Sequence, residues 1–140
     1  MKYLYPAIFT LDMTDENYPN GVYLVDFPDI SGCFTDGETL NEAYSMAEDA
    51  LTLKLCSLED IKQEIPKPTD IKDIKCNKNS FVSLISADTF IYRKLHDKKA
   101  VKKTLSIPAW LNNMALEKNI NFSNILQNAL MKELGIENNS

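Results

Sequence analysis

Residues 101–107, Val-Lys-Lys-Thr-Leu-Ser-Ile, alternate at the period of a strand and run directly into two short amphipathic helices. No other feature restricts the possible folds of this chain as much. Val101, Leu105 and Ile107 share one face, with Lys103 at the same parity and its stem reaching round the edge. Lys102, Thr104 and Ser106 take the opposite face. Pro108 suits the opening turn of a helix, where its missing N–H costs nothing. Leu111, Met114 and Ala115 give that helix an apolar stripe with Trp110 beside it, and Asn119 can end it in the left-handed conformation. Asn121 is a good N-cap for a second helix, whose apolar face is Phe122, Ile125, Leu126, Ala129, Leu130 and Leu134 and which Gly135 stops.

One strand and two helices, about 35 residues, cannot bury enough apolar surface alone, and the strand has two unpaired edges. Both difficulties vanish when two copies pair their strands antiparallel and pack their helices beneath. Residues 101–140 are therefore expected to form a homodimer, and pairing of the front domains would carry assembly higher. The paired strands would turn Lys102, Thr104 and Ser106 of each chain outward. A two-stranded ribbon fits the DNA major groove, where Lys donates to guanine and Thr or Ser contacts base edges. Lys99 and Lys103 are candidate phosphate contacts. So are the backbone N–H groups of Phe122, Ser123 and Asn124 at the start of the second helix.

Charge is divided unevenly along the 140 residues, whose net charge is −5. Residues 1–60 hold two lysines and twelve carboxylates, residues 61–100 nine basic and five acidic groups, and residues 101–140 four and three. An acidic front repels nucleic acid and attracts a basic protein. On charge and loop position, Asp26, Asp29, Asp36 and Glu38 are candidate contacts for such a protein. From Arg93-Lys94 to Lys102-Lys103, six cations face the single Asp97, which reads as a solvated linker or a phosphate-facing segment.

The front itself reads as strands followed by one helix. Tyr3–Leu11 is apolar on both faces, so it is expected as an interior strand, although Pro6 needs an edge or a bulge. Asn20-Gly21 signals a hairpin, because both positions tolerate positive φ. Val22–Phe27 returns as the second strand, and Cys33-Phe34-Thr35 is a short third one closed by Asp36-Gly37. Thr39 and Glu42 have capping-box spacing. The helix behind them shows an apolar stripe of Leu40, Ala43, Tyr44, Ala47, Ala50, Leu51, Leu55 and Leu58. Pro66 and Pro68 interrupt a connection from Glu59 to Ser80, and Phe81–Ile85 forms a last strand. The expected fold is α+β, with a β-β-β-α-β domain over residues 1–85, a basic linker over 86–100 and a strand-helix-helix element over 101–140.

Catalytic chemistry finds little support. Cys33, Cys56 and Cys76 are odd in number and form no C-x-x-C pair, so reduced thiols without a metal are expected. His96 is the one histidine and has no nucleophile near it in sequence. Asp12, Asp26, Asp29, Asp36, Glu38, Glu48 and Asp49 are numerous enough for two-metal hydrolysis, but many fall in turns or on a solvated helix face, and Asp12 follows the first strand rather than sitting within it. No cofactor is implied. No stretch approaches the ~20 apolar residues of a membrane span, and no secretion signal precedes the first strand, so a cytoplasmic protein without membrane contact is expected.

Two stretches carry a family likeness. KKTLSIP, WLNNMALEKNINFS and LQNALMKELGI, from Val101 to Ile136, resemble ribbon-helix-helix repressors, above all the version attached to HicB antitoxins. In front, YPAIF, the strand Gly21–Val25, FPDISGCFTDGETLNEA and Ala47-Glu48-Asp49-Ala50-Leu51 resemble the HicB-like domain. The resemblance implies a truncated ribonuclease H-like fold without catalytic activity. It also implies a small basic partner, the HicA toxin, an mRNA-cleaving enzyme with a double-stranded-RNA-binding-like fold and a catalytic histidine. The front domain would block that toxin, and the tail would bind operator DNA and repress the operon. The chain departs from the family at Ile30-Ser31, where a proline is common, and this bears on the toxin contact. Two rival readings stay open: a stand-alone ribbon-helix-helix regulator whose front domain senses a ligand, and a residual ribonuclease H-like nuclease.

Overall fold

A computed structural model describes residues 1–97 and 99–136, which divide into two compact units, Met1–Lys99 and Ala100–Ser140. Lys98 of the basic run and residues 137–140 of the C-terminal element lie outside the described residues.

The first unit is α+β. Strands β1 (Lys2–Asp12), β2 (Val22–Asp26) and β3 (Phe34–Gly37) precede helix α1 (Leu40–Asp60). A single 3-10 turn (Ile71–Asp73), strand β4 (Ser80–Asp88) and helix α2 (Thr89–His96) follow. The sheet runs β3-β2-β1-β4, every pair antiparallel, so β1 is interior as expected, with neighbours on both sides. Pairing with β2 starts only at Ile8, so at Pro6 the strand has no neighbour on that side and is locally an edge.

The connection between β1 and β2 differs from expectation. Residues 13–21 intervene, and of Asn20 and Gly21 only Gly21 has positive φ, +88°. Its N–H donates to the Tyr18 carbonyl at 2.8 Å, closing a turn at the end of a longer loop instead of a two-residue hairpin.

Thr39 caps α1, its hydroxyl oxygen accepting from the Glu42 N–H at 3.1 Å. The Glu42 carboxylate in turn accepts from the Glu38 N–H at 3.3 Å, one residue before the position a strict capping box uses. Ala43, Ala47, Leu51, Leu55, Cys56 and Leu58 form the buried face of α1, while Leu40 and Tyr44 stay exposed. Under it lie Tyr5, Ala7 and Phe9 of β1, Val25 of β2 and Ile85 and Ala87 of β4, joined by Phe27, Ile30 and Cys33. Burial pushes the Cys33 thiol up to about 11. Gly37 allows the close approach of β3 to α1: a Cβ there would lie 2.4 Å from the Ala43 nitrogen.

The first unit does not end near Ile85. The segment expected to be linker holds the end of β4 and the whole of α2. Asp88 caps α2, accepting from the N–H groups of Phe90 (3.0 Å) and Ile91 (3.1 Å). Arg93, counted among the solvated cations, anchors α2 to α1 by contacts to Asp60 (2.8 Å), Glu59 (3.3 Å) and the Cys56 carbonyl (3.0 Å). Glu59 is the hub. The Tyr3 hydroxyl donates to it at 2.7 Å, and the buried Thr89 hydroxyl lies 3.0 Å away. Burial alone would raise the Glu59 pKa, but hydrogen bonds from Tyr3, Thr89 and Arg93 and the nearby N-terminal ammonium outweigh it and hold the carboxyl below its ordinary value.

The second unit contains α3 (Ala109–Glu117) and α4 (Phe122–Glu133). Asn119 (φ +53°) and Gly135 (φ +70°) adopt the left-handed conformation after each helix, and the Asn121 side chain caps α4. Pro108 stands at the N-cap of α3, one place before the first helical residue. Neither helix has a single buried residue. Residues 101–107, expected as a strand, pair with no other segment and form none in this chain.

Candidate protein-binding and nucleic-acid interfaces

Helix α1 covers one face of the sheet, and the register fixes which side chains occupy the other. Ile8 and Thr10 of β1, Leu24 and Asp26 of β2, and Phe34 and Asp36 of β3 point the same way, since directly opposed residues share a face. Asp26 stands between Ile8 and Phe34, and Leu24 between Thr10 and Asp36. Val82 and Ser80 of β4 continue the two rows, with the Ser80 and Thr10 hydroxyls 2.7 Å apart. All six side chains of the first three strands line one open depression. Phe34 is 72% exposed and Leu24 41%, so apolar surface faces solvent beside two carboxylates.

The structure thus brings together two of the four acids proposed for protein binding, Asp26 and Asp36. Asp29 is occupied elsewhere, accepting from the Thr69 N–H (3.0 Å) and hydroxyl (2.5 Å) and so tying down the 61–79 connection. Glu38 lies exposed in the turn between β3 and α1. Leu24 and Phe34 were absent from the sequence-based site. Their signal is the pattern Leu24-x-Asp26 and Phe34-x-Asp36, in which an apolar residue takes the parity of an acid and not of the core.

On the second unit, Lys102, Lys103, Thr104 and Ser106 are exposed along the extended segment, and Lys99 is exposed at the end of the first unit. The phosphate site proposed at the start of α4 is narrower than expected. The Asn124 N–H already donates to the Asn121 side-chain oxygen at 3.0 Å, so Phe122 and Ser123 are the backbone donors to consider.

His96 ends α2 exposed, its ring 4.4 Å from that of Tyr92. Asp12 accepts from the hydroxyl (2.6 Å) and N–H (2.9 Å) of Thr14, which lower its pKa. Among the described residues, no group of three or more His, Cys, Asp or Glu side chains is placed to hold a metal ion. No described helix is long and apolar enough to cross a membrane.

The first unit thus exposes Leu24, Phe34 and two carboxylates on one sheet face, and the two helices of the second bury no residue. Residues 6–129 match the HicB_like antitoxin of bacterial toxin-antitoxin system, and the chain belongs to that family. It is 30% identical over 96 residues, 66% of this chain and 68% of the other, to an uncharacterized 14.9 kDa protein in the rep-hol intergenic region of Haemophilus phage HP1 (strain HP1c1). Among solved structures it resembles a chain of the toxin-antitoxin complex from Streptococcus pneumoniae, with 31% identity, a TM-score of 0.62, and coverage of 95% of this chain and 99% of that one. The Burkholderia pseudomallei antitoxin HicB shares the fold at 20% identity and a TM-score of 0.52, over 94% of this chain and 98% of that one.

Proposed function

We propose that this chain is an antitoxin that neutralises a HicA-type mRNA-cleaving toxin through its first unit and represses its own operon through its second. The observation that carries the reading is the likeness, across 95% of the chain, to a component of the toxin-antitoxin complex from Streptococcus pneumoniae. Operator binding rests on separate physical grounds. The second unit buries none of its helical residues, so it needs a second copy. Two antiparallel copies of residues 101–107 make a ribbon whose outward side chains are Lys102, Thr104 and Ser106. Lys99, Lys103 and the N–H groups of Phe122 and Ser123 would flank it at phosphates. Both activities belong in the cytoplasm, where mRNA and operon are found.

Two measurements test the two halves. Co-expression with the small basic protein of the adjoining reading frame is expected to yield a stable complex, and no recovery would refute toxin binding. Gel-shift titration of the upstream DNA should show dimer binding. If the dimer neutralises about six phosphates, log affinity falls with log salt at a slope near −5. A flat salt response would remove the operator claim.

A further inference from the structure

We infer that the toxin docks on the bare face of the sheet, where an apolar side chain set in a basic protein surface packs on Phe34 and Leu24 between Asp26 and Asp36. The inference rests on the antitoxin reading above and specifies its site. Phe34 is 72% exposed in a four-residue strand, and its neighbours across the ladder and along the strand are the carboxylates Asp26 and Asp36. A large aromatic held rigidly on a sheet, bare and ringed by charge, has the composition of an interface anchor with a polar rim. Leu24 repeats the arrangement one strand inward, with Asp36 opposite and Asp26 two residues on.

Charge selects the occupant. Among the described residues, the depression around these side chains is lined by two aspartates and no cation. Nucleic acid would bring phosphates against both carboxylates. A second copy of this unit would bring more acids, since residues 1–60 hold twelve carboxylates and two lysines. A basic protein gains from both features: steering by the acidic field and burial of the phenyl ring. The remaining acids of the sequence-based site are not needed, because Asp29 is engaged by Thr69 and Glu38 lies in the turn beyond the sheet face.

The test uses the full chain and the basic protein of the adjoining reading frame, with Kd and association rate measured for Phe34→Ala, for the double charge reversal Asp26→Lys/Asp36→Lys, and for Asp49→Lys on the exposed side of α1. Phe34→Ala should weaken binding at least about tenfold, mainly through faster dissociation. The double reversal should also cost at least about tenfold, mainly through slower association and a flattened salt response. Asp49→Lys should change the Kd by less than about twofold, as expected for a charge outside the interface. Operator binding should be unaltered in all three. If the wild-type chain binds the toxin and both sheet-face variants bind equally well, this site is wrong while the antitoxin reading stands. If the wild-type chain captures no toxin, the antitoxin reading fails and takes this site with it. A sizing experiment in which Phe34→Ala splits a larger assembly of this chain alone, without effect on toxin binding, would assign the face to self-association and overturn the proposal. Should Phe34→Ala fold poorly, the charge reversal decides by itself.

Discussion

Both units of this chain carry amphipathic helices, yet the first has an interior and the described helices of the second bury no residue. In the first, Tyr5, Phe9, Leu51, Leu55 and Ile85 are fully enclosed between sheet and helix. In the second, Leu111, Met114, Ile125 and Leu130 repeat at equally good helical spacing and remain exposed. Amphipathic periodicity says that a face wants covering, but it does not say by what. The first unit folds back to supply its own cover, whereas the two helices of the second bury no residue within the chain. The dimer proposed for the second unit would tie its folding to protein concentration, whereas the first unit carries its own core.

The contrast can be broken by experiment, beginning where the effect is largest. Phe9→Ala removes a fully buried ring and should destabilise the first unit by about 3–5 kcal/mol, seen in denaturant melts as a shift that does not depend on concentration. Leu126→Asp places a charge on the packing face of α4. It should make the chain monomeric and weaken operator binding by about a hundredfold or more, leaving the melt of the first unit unmoved. A dimer that survives this change would mean that the second unit is covered in some other way.

Glu59→Gln is expected to cost about 1–3 kcal/mol in the first unit only, because it loosens the hub that joins α2 to α1. The same hub sets both ends of a pH profile. Glu59 titrates below its ordinary value in the folded state, so its contribution is complete above the ordinary carboxylate range and is lost as pH falls through the folded pKa. Tyr3 is pushed up to about 12 by burial, by its hydrogen bond to Glu59 and by nearby charge. Its contribution is therefore complete below the ordinary value of 10.0 and declines as pH rises towards 12. Glu59→Gln should flatten the acid limb and Tyr3→Phe the alkaline one, both read from thermal melts across pH. Smallest of all, Thr104→Ala should weaken operator affinity by about tenfold while the dimer stays folded, as for a single base-edge contact in each chain. An unchanged gel-shift affinity would take Thr104 out of the groove.

Much of this architecture could be read in advance, wherever the signal was local. The caps at Thr39 and Asn121, the left-handed residues Asn119 and Gly135 and the stripe from Ala43 to Leu58 all depend on neighbours within a few residues. Helix α2 was concealed by the charge at its end: Arg93 and Lys94 open a basic run that continues past the helix and looks like a solvated bridge. The Asp88 cap ahead of Phe90, Ile91 and Leu95 was the signal that could have revealed it. The binding face was legible only in half, through Asp26 and Asp36.

Spacing and local chemistry predicted two C-terminal helices with apolar stripes but not what covers them, because periodicity marks a face and not its partner. They also fixed where the helices start and stop, since capping is a matter of a few adjacent residues. Cross-strand register was decided by the folded sheet, which set Phe34 beside Asp26 and Leu24 beside Asp36 and left their side bare. Folding likewise turned Arg93 from a linker cation into an anchor and gave Asp29 to Thr69. Those outcomes join residues far apart in the chain, and such pairings exist only once long-range packing has chosen among many compatible alternatives.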